Sequence, residues 1–129
     1  MSVRKGKVMK KTILLVDDEP ELLEILGMML EGKYNVLTAG DYNEACSTLS
    51  ETTVNAIITD LNLPNENGID LIRFVKSHYP KVSSSLITGE VSSLVSQEAM
   101  DQGAMVCLVK PFNSKKLFEV VNSLVEANS

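Results

Sequence analysis

The sequence predicts an α/β domain in which a five-stranded parallel sheet carries helices on both faces. Five short apolar segments, each about the length of a buried strand, recur along the 129 residues. After each of them, apolar residues follow at helical spacing. Strict alternation of strands and helices is typical of parallel sheets with right-handed crossovers. The length fits one such domain and leaves no room for a second.

The predicted strands are rich in β-branched and aliphatic residues, as expected for strands that are covered on both faces. The fourth is the weakest because Ser83–Ser85 dilute it, and Leu86–Thr88 is its apolar part. The five predicted strands are Thr12–Val16, Tyr34–Ala39, Val54–Thr59, Val82–Thr88 and Ala104–Val109.

Start and stop signals delimit the first three helices. Pro20 suits the first position of a helix, and Gly32 marks its end. Asp41–Glu44 has the form of a capping box at the start of the second helix. The third helix follows a turn at Pro64–Gly68 and ends at Tyr79–Pro80.

The last two helices have weaker boundaries. The fourth ends at Gly103. Either Asn113 or Ser114 caps the fifth, and Phe112 is placed to pack against Leu117 as a hydrophobic staple. The apolar positions of these helices are Leu94, Val95, Ala99 and Met100 in the fourth, and Leu117, Val120, Val121 and Leu124 in the fifth.

The charge is unevenly distributed along the chain. The net charge is −5, but five of the 12 basic residues lie in Met1–Lys11, which leaves seven basic against 17 acidic residues, or −10, in the rest. We therefore predict a basic extension over residues 1–10 and a domain over 11–129, and no direct binding to nucleic acid. The extension is interpreted as a solvated tail, with docking as the alternative. Neither a membrane-spanning run nor a cleavable signal is found, so the default compartment is the cytoplasm.

Polar side chains stand where four predicted strands end. Asp17 and Asp18 follow the first strand, Asp60 the third, Thr88 ends the fourth and Lys110 follows the fifth. The carboxyl ends of parallel strands share one edge of the sheet, where ligands bind in α/β folds. These residues are therefore predicted to share one small site.

The residue types at this edge suit phosphoryl chemistry. Three neighbouring carboxylates repel one another and require a cation, and Mg²⁺ suits a site with few protein ligands and several waters. The ammonium of Lys110 and the hydroxyl of Thr88 can stabilise phosphoryl oxygens, while a carboxylate acts as nucleophile. The alternative gives each residue a structural role, with Asp18 as a helix cap, Lys110 as a surface charge and Thr88 as a turn hydroxyl.

Together these residues resemble the receiver domains of two-component response regulators, from about Lys11 to Glu126. The resemblance rests on Asp17-Asp18, on the segment Asp60-Leu-Asn-Leu-Pro-x-x-x-Gly68, on Thr88-Gly89 and on Lys110-Pro111, in the expected order. It implies a flavodoxin-like sheet with strand order 2-1-3-4-5. It also implies a cis peptide before the proline of Lys110-Pro111.

The resemblance implies a role for each residue. Asp60 would accept a phosphoryl group, and Thr88 and Lys110 would bind it. Mg²⁺ would be held by Asp17, Asp18 and Asp60 and by the backbone carbonyl of Asn62. The phosphoryl donor would be a histidine kinase or a histidine phosphotransfer protein, and the modified domain would regulate a downstream effector or an output domain. Dimerisation would use the face formed by the fourth helix, fifth strand and fifth helix.

Two residues qualify this reading. Cys107 stands where the family usually carries Tyr or Phe, so the usual aromatic readout of the Thr movement is in doubt. Like Cys46, it is interpreted as a free, reduced core cysteine rather than as part of a disulfide or redox site. The single histidine, His78, is expected on the surface away from the site, so the donor histidine should belong to another protein.

The sequence leaves three alternative functions. An interaction module that no longer switches has only Cys107 in its favour. A phosphatase with an Asp nucleophile usually needs a second carboxylate two residues later, where this chain has Asn62. A flavin-binding protein would need a phosphate loop after the first strand, where this chain has Asp17 and Asp18.

Overall fold

A computed structural model describes residues 10–89 and 93–127 of the chain, with the side chain of Ser93 left out. Within these ranges five strands alternate with five helices, as predicted. In chain order they are β1 (Thr12–Val16), α1 (Pro20–Leu30), β2 (Asn35–Ala39), α2 (Tyr42–Glu51), β3 (Ala56–Asp60), α3 (Gly68–His78), β4 (Ser83–Thr88), α4 (Ser93–Gln102), β5 (Val106–Val109) and α5 (Ser114–Glu126).

All strand pairs are parallel, and the order in the sheet is β2-β1-β3-β4-β5. Both the parallel sheet and the strand order that the resemblance implied are confirmed. At the carboxyl edge Val16 lies beside Thr59, and Thr88 lies beside Val109. The register therefore brings the ends of β1, β3, β4 and β5 to the same edge.

Apolar side chains alternate between the two faces of the sheet, as the two-residue period of a strand requires. On one face, Ile13 and Leu15 of β1 pack with α1 and α5 through residues such as Leu26 and Val121. On the other face, Leu14 packs with residues of α2 and α3. A third cluster of buried residues joins α3 and α4 to β4: Leu61, Ile69, Ile72, Leu86, Ala99 and Ala104.

Side-chain caps fix the starts of three helices. The side chains of Asp41, Asn67 and Asn113 each accept a hydrogen bond from the backbone N–H three residues later, at 2.8, 2.9 and 2.8 Å. Such a cap contributes roughly 1 kcal/mol. Only the Asp41 half of the box predicted at α2 is formed, because the Glu44 carboxylate accepts from the N–H of Gly40 and not from that of Asp41. Of the two residues predicted to cap α5, Asn113 does so.

The first strand begins at Thr12 as predicted, whereas the other four predicted strands begin one or two residues too early. Tyr34 was placed in the second strand, but its N–H donates to Leu30 O at 2.9 Å, so it closes the turn after α1. Its ring is buried, and its hydroxyl bonds to Asn122. Val54 and Ala104 are buried just before their strands begin. Apolar character therefore extends beyond the hydrogen-bonded part of a strand.

Two further predictions concern the basic N-terminal extension and the lack of a membrane-spanning helix. Most of the predicted basic extension, residues 1–9, lies outside the described residues; Lys10 is exposed, and its Nζ donates to Glu31 O at 3.2 Å. Within the described ranges, even the longest helix, α5 with 13 residues, is too short to cross a bilayer.

Candidate functional site

Asp60 is the last residue of β3, a strand whose five residues are all buried. Its partner on β4 is Ile87, so Thr88 lies one residue further along the neighbouring strand. On the other side, Asp17 is the residue after Val16, which is the partner of Thr59. Both Asp60 and Asp17 are largely covered, with 8% and 4% of their surface exposed. The sheet thus places two buried carboxylates on adjacent strands at one edge.

Both carboxylate oxygens of Asp60 accept hydrogen bonds. Lys110 Nζ lies 3.0 Å from Oδ1, and the backbone N–H of Asn62 donates to Oδ2 at 2.9 Å. Lys110 reaches this position from the end of β5, where its own N–H donates to Thr88 O at 2.9 Å. The Lys110–Pro111 peptide is cis, as the resemblance implied.

The site combines groups of opposite charge, and their pKa values reflect this. Burial alone would lower the pKa of Lys110, but the hydrogen bond to Asp60 and the charges of Asp60, Asp17 and Glu19 outweigh it and raise the pKa. Lys110 is therefore held in its charged form. Burial raises the pKa of Asp17, and the nearby charge of Asp60 raises it further, against the lowering effect of the Glu19 N–H and of Lys110.

The predicted acidic cluster is only partly assembled. Asp17 Oδ1 accepts from the N–H of Glu19 at 2.9 Å, whereas Asp18 is exposed. In residues 10–89 and 93–127, no three acidic, histidine or cysteine side chains lie close enough to form a metal-binding group. Thr88 is 1% exposed and Asn62 is exposed. Among the predicted site residues, Asp17 and Lys110 lie close enough to Asp60 for direct electrostatic interaction.

The donor set nevertheless suits Mg²⁺. This ion is usually bound by one or two carboxylates and keeps several waters, so three converging acids are not required. Asp17 and Asp60 offer two carboxylates; burial raises the pKa of Asp17, and repulsion from the charge of Asp60 raises it further. A divalent cation between them would offset that repulsion.

Two residues that contact the backbone of Asp60 are not predicted from the sequence as site residues. Thr59 is predicted as part of an apolar strand, but its hydroxyl donates to Asp60 O at 3.0 Å. Gly68 is predicted as the end of a turn and as part of the family motif; a Cβ there would lie 2.1 Å from Asp60 O. A hydroxyl residue immediately before the acid was the one signal available for Thr59 in the sequence.

Cys107 is free, as predicted, and His78 lies on the surface, as predicted. Cys107 is free and half-buried, and its Sγ lies 4.0 Å from Ser96 O on α4. Burial raises the pKa of this thiol, against the lowering effect of the contact with Ser96. His78 is exposed at the end of α3 and stacks on Phe74, with ring centroids 4.3 Å apart.

Residues 13–122 match the family model of the response regulator receiver domain. Among curated proteins, the DNA-binding response regulator MtrA of Mycolicibacterium smegmatis is 30% identical over 93% of this chain and 53% of its own length. The chain spans between 25% and 53% of the length of the curated relatives that it matches first.

Solved structures agree with the family match. A CheY-like receiver domain protein from Methanospirillum hungatei JF-1 has a TM-score of 0.87 at 26% identity, over 92% of this chain and 96% of that one. The beryllofluoride-activated NtrC4 receiver domain dimer has a TM-score of 0.86 at 29% identity, over 92% of this chain and 98% of that one. With its flavodoxin-like sheet and its acidic strand ends, this chain belongs to the receiver domain family of two-component response regulators.

Proposed function

We propose that Asp60 accepts a phosphoryl group from the phosphohistidine of a histidine kinase or a histidine phosphotransfer protein. The observation that carries this proposal is a buried carboxylate at a strand end with an ammonium 3.0 Å away. An oxygen of Asp60 would form a bond to phosphorus while the bond between phosphorus and the histidine nitrogen breaks. The nitrogen would keep the bonding electrons and take up a proton from solvent.

The neighbouring groups would stabilise the charge of the transferred group. Asp17, Asp18, Asp60 and the carbonyl of Asn62 would hold Mg²⁺, which would supply positive charge to offset that of the phosphoryl group. Lys110 would exchange its hydrogen bond with the free carboxylate for one with a phosphoryl oxygen. The hydroxyl of Thr88 would donate to another phosphoryl oxygen.

The site assignment is tested by labelling with a phosphorylated histidine kinase in the presence of Mg²⁺. The wild-type chain should acquire an acid-labile label, and Asp60→Asn should abolish it. Asp101→Asn is the matched control, because Asp101 is exposed on α4 and its carboxylate accepts a hydrogen bond from Gln97 on the same helix. Label that persists in Asp60→Asn would refute the assignment.

We further propose that phosphorylation changes the conformation around Thr88 and α4. Among the described side chains of α4, only Ala99 is buried, so little apolar burial holds this helix in place. A thiol contact from Cys107 to Ser96 joins β5 to α4 where an aromatic residue is usual. The alternative is an interaction module that does not switch.

A comparison of amide chemical shifts with and without beryllofluoride and Mg²⁺ separates these two alternatives. A switch predicts large changes at Thr88 and along α4. Changes confined to Asp60 and its neighbours would instead favour a module that binds the phosphoryl analogue without switching.

The proposed output is regulation of a partner protein or of an attached domain. Because the chain spans between 25% and 53% of the curated relatives that it matches first, a domain outside this sequence is one such output. We propose no direct DNA binding by this domain, since residues 12–129 carry a charge of −10. A dimer through α4, β5 and α5 is the proposed activated assembly, supported by the dimeric NtrC4 receiver.

Receiver domains are generally not turnover enzymes, and the site agrees with that class. A phosphatase with Asp60 as nucleophile usually needs a second carboxylate two residues later, where this chain has Asn62. An assay with a phosphomonoester such as p-nitrophenyl phosphate tests this alternative. Sustained release of p-nitrophenol would overturn the assignment as a receiver and favour a phosphatase.

A further inference from the structure

Thr59 is a fully buried polar residue next to the proposed phosphoryl acceptor. It has no exposed surface, and its hydroxyl donates to the backbone carbonyl of Asp60 at 3.0 Å. It lies on β3 between Val16 of β1 and Leu86 of β4. The hydroxyl therefore contacts the main chain at the residue whose side chain does the proposed chemistry.

The carbonyl of Asp60 is also confined by the start of α3. A Cβ on Gly68 would lie 2.1 Å from Asp60 O and 3.0 Å from Asp60 C, so the backbone of α3 passes directly beside this peptide. Gly68 N–H donates to Leu61 O at 2.7 Å, which fixes the approach of the helix. The Asp60 peptide is thus held between the Thr59 hydroxyl and the Gly68 backbone.

We propose that Thr59 is a positioning residue for phosphoryl transfer: its hydroxyl fixes the Asp60 peptide so that the carboxylate is aimed at Lys110 and at the Asn62 N–H. This inference rests on the proposed function of Asp60. Rotation of the peptide would move both carboxylate oxygens, which now lie 3.0 Å from Lys110 Nζ and 2.9 Å from Asn62 N. Misplacement of reacting atoms by about 1 Å can slow a reaction by about 100-fold.

The competing explanation is that the Thr59 hydroxyl only makes the hydrogen bond that a buried polar group needs, with no effect on the site. Ser85 on β4 offers a comparison, since it is also fully buried and its hydroxyl bonds to the carbonyl of the next residue, Leu86, at 3.4 Å. Ser85 lies beside Ile58 and Val106, away from the strand ends. Loss of each hydroxyl should affect the fold in a similar way, but only Thr59 should affect the site.

The test compares Thr59→Val, Thr59→Ser and Ser85→Ala in the full chain. The rate of labelling from acetyl phosphate with Mg²⁺ should fall about tenfold or more in Thr59→Val, which keeps the side-chain shape but lacks the hydroxyl. Thr59→Ser, which keeps the hydroxyl, should label at most of the wild-type rate. Ser85→Ala should label within about twofold of wild type. Equal rates for Thr59→Val and wild type, an equal loss in Ser85→Ala, or no rescue by Thr59→Ser would overturn the proposal.

A structural readout separates this proposal from the proposed function. Crystal structures of wild type and Thr59→Val should show the distance between Lys110 Nζ and Asp60 Oδ1 increasing beyond hydrogen-bond range in the variant. An unchanged distance would overturn the positioning role even if labelling is slower. If wild type is labelled neither by acetyl phosphate nor by a phosphorylated histidine kinase, the phosphoryl-acceptor function fails, and this distance still decides whether Thr59 positions the carboxylate.

Discussion

At the scale of single residues, Lys110 is the group that makes Asp60 suited to phosphoryl chemistry. Its Nζ lies 3.0 Å from Asp60 Oδ1, and the surrounding acids raise its pKa, so it stays charged at neutral pH. An ammonium in this position offsets negative charge as the phosphoryl group approaches.

Lys110→Met should therefore slow labelling of Asp60 by roughly 100-fold, the usual cost of removing one charge-stabilising donor. Labelling from acetyl phosphate at fixed Mg²⁺ measures the effect. Lys115→Met, which removes an exposed lysine from α5, is the control and should label normally. Equal rates in the two variants would show that Lys110 has no part in the transfer.

Asp17 predicts a dependence of stability on pH. Burial, together with the charge of Asp60, raises its pKa in the folded chain above the ordinary value of 3.8. The fold therefore favours protonated Asp17. This contribution to stability is fully present below about pH 3.8 and is lost as the pH rises through the raised folded pKa.

Asp17→Asn should accordingly increase the free energy of unfolding at pH 7 without Mg²⁺. The difference should shrink as the pH falls through the raised folded pKa of Asp17 and should be smallest below about pH 3.8. Urea denaturation across this pH range measures it. A variant that is less stable than wild type at pH 7 would contradict the account. Added Mg²⁺ should stabilise wild type and not the variant.

At the scale of elements, the connection from β3 to α3 depends on a close approach of two backbones. Gly68 opens α3 with its Cα against the peptide of Asp60, so that a Cβ would lie 2.1 Å from Asp60 O and 3.0 Å from Leu86 Cδ1. Because Asp60 O belongs to the main chain, it cannot rotate away from a Cβ at position 68 as a side-chain atom could. Only glycine fits there without displacement of the helix or of the acceptor.

Gly68→Ala should lower the free energy of unfolding by about 1–3 kcal/mol, the usual cost of overpacking, and should slow labelling of Asp60. Gly32→Ala is the matched control, because a Cβ there would meet no atom within 4 Å. Denaturant unfolding of both variants gives the comparison. Equal stability of the two would mean that the approach at Gly68 is easily relieved.

The elements themselves could be predicted from local signals. Apolar runs identified the five strands, although serines interrupt the fourth, and the caps at Asp41, Asn67 and Asn113 lie within or next to the predicted helix starts. The first residues of four strands could not be predicted; Val54 and Ala104, for example, face the core before the strand hydrogen bonds begin. Apolarity reports burial, whereas strand bounds depend on pairing with a neighbour.

At the scale of the whole molecule, exposed apolar side chains lie on both α1 and α4. Leu94 on α4 is 80% exposed and Met28 on α1 is 67% exposed. The proposed activated dimer uses α4, β5 and α5, so Leu94 should be covered when the dimer forms and Met28 should stay exposed.

Beryllofluoride with Mg²⁺ should convert the chain from monomer to dimer, as measured by sedimentation velocity. Leu94→Lys should weaken the dimer by about tenfold or more, because a charge would enter an apolar interface. Met28→Lys makes the same change on α1 and should have no effect. Equal weakening by both, or no dimer in wild type, would exclude this face as the interface.

The site could be predicted in part, because topology places the strand ends on one edge. The contact between Asp60 and Lys110, which are 50 residues apart, follows from that rule. The direction in which each side chain points does not follow from the topology. Asp18 is exposed, so the expected grouping of three acids is not formed among the described residues. The contact of Thr59 with Asp60 could not be predicted either, because a hydroxyl residue directly before the acid is a weak signal that does not show which group the hydroxyl bonds to.

The most direct test of the account is chemical mapping of the modified residue. After transfer from a phosphorylated histidine kinase with Mg²⁺, borohydride reduction converts an aspartyl phosphate to homoserine, which tandem mass spectrometry locates in the chain. The account predicts homoserine at position 60, dependent on both the donor and Mg²⁺. Homoserine at another aspartate, or none under conditions where the kinase loses its phosphoryl group to the chain, would contradict it.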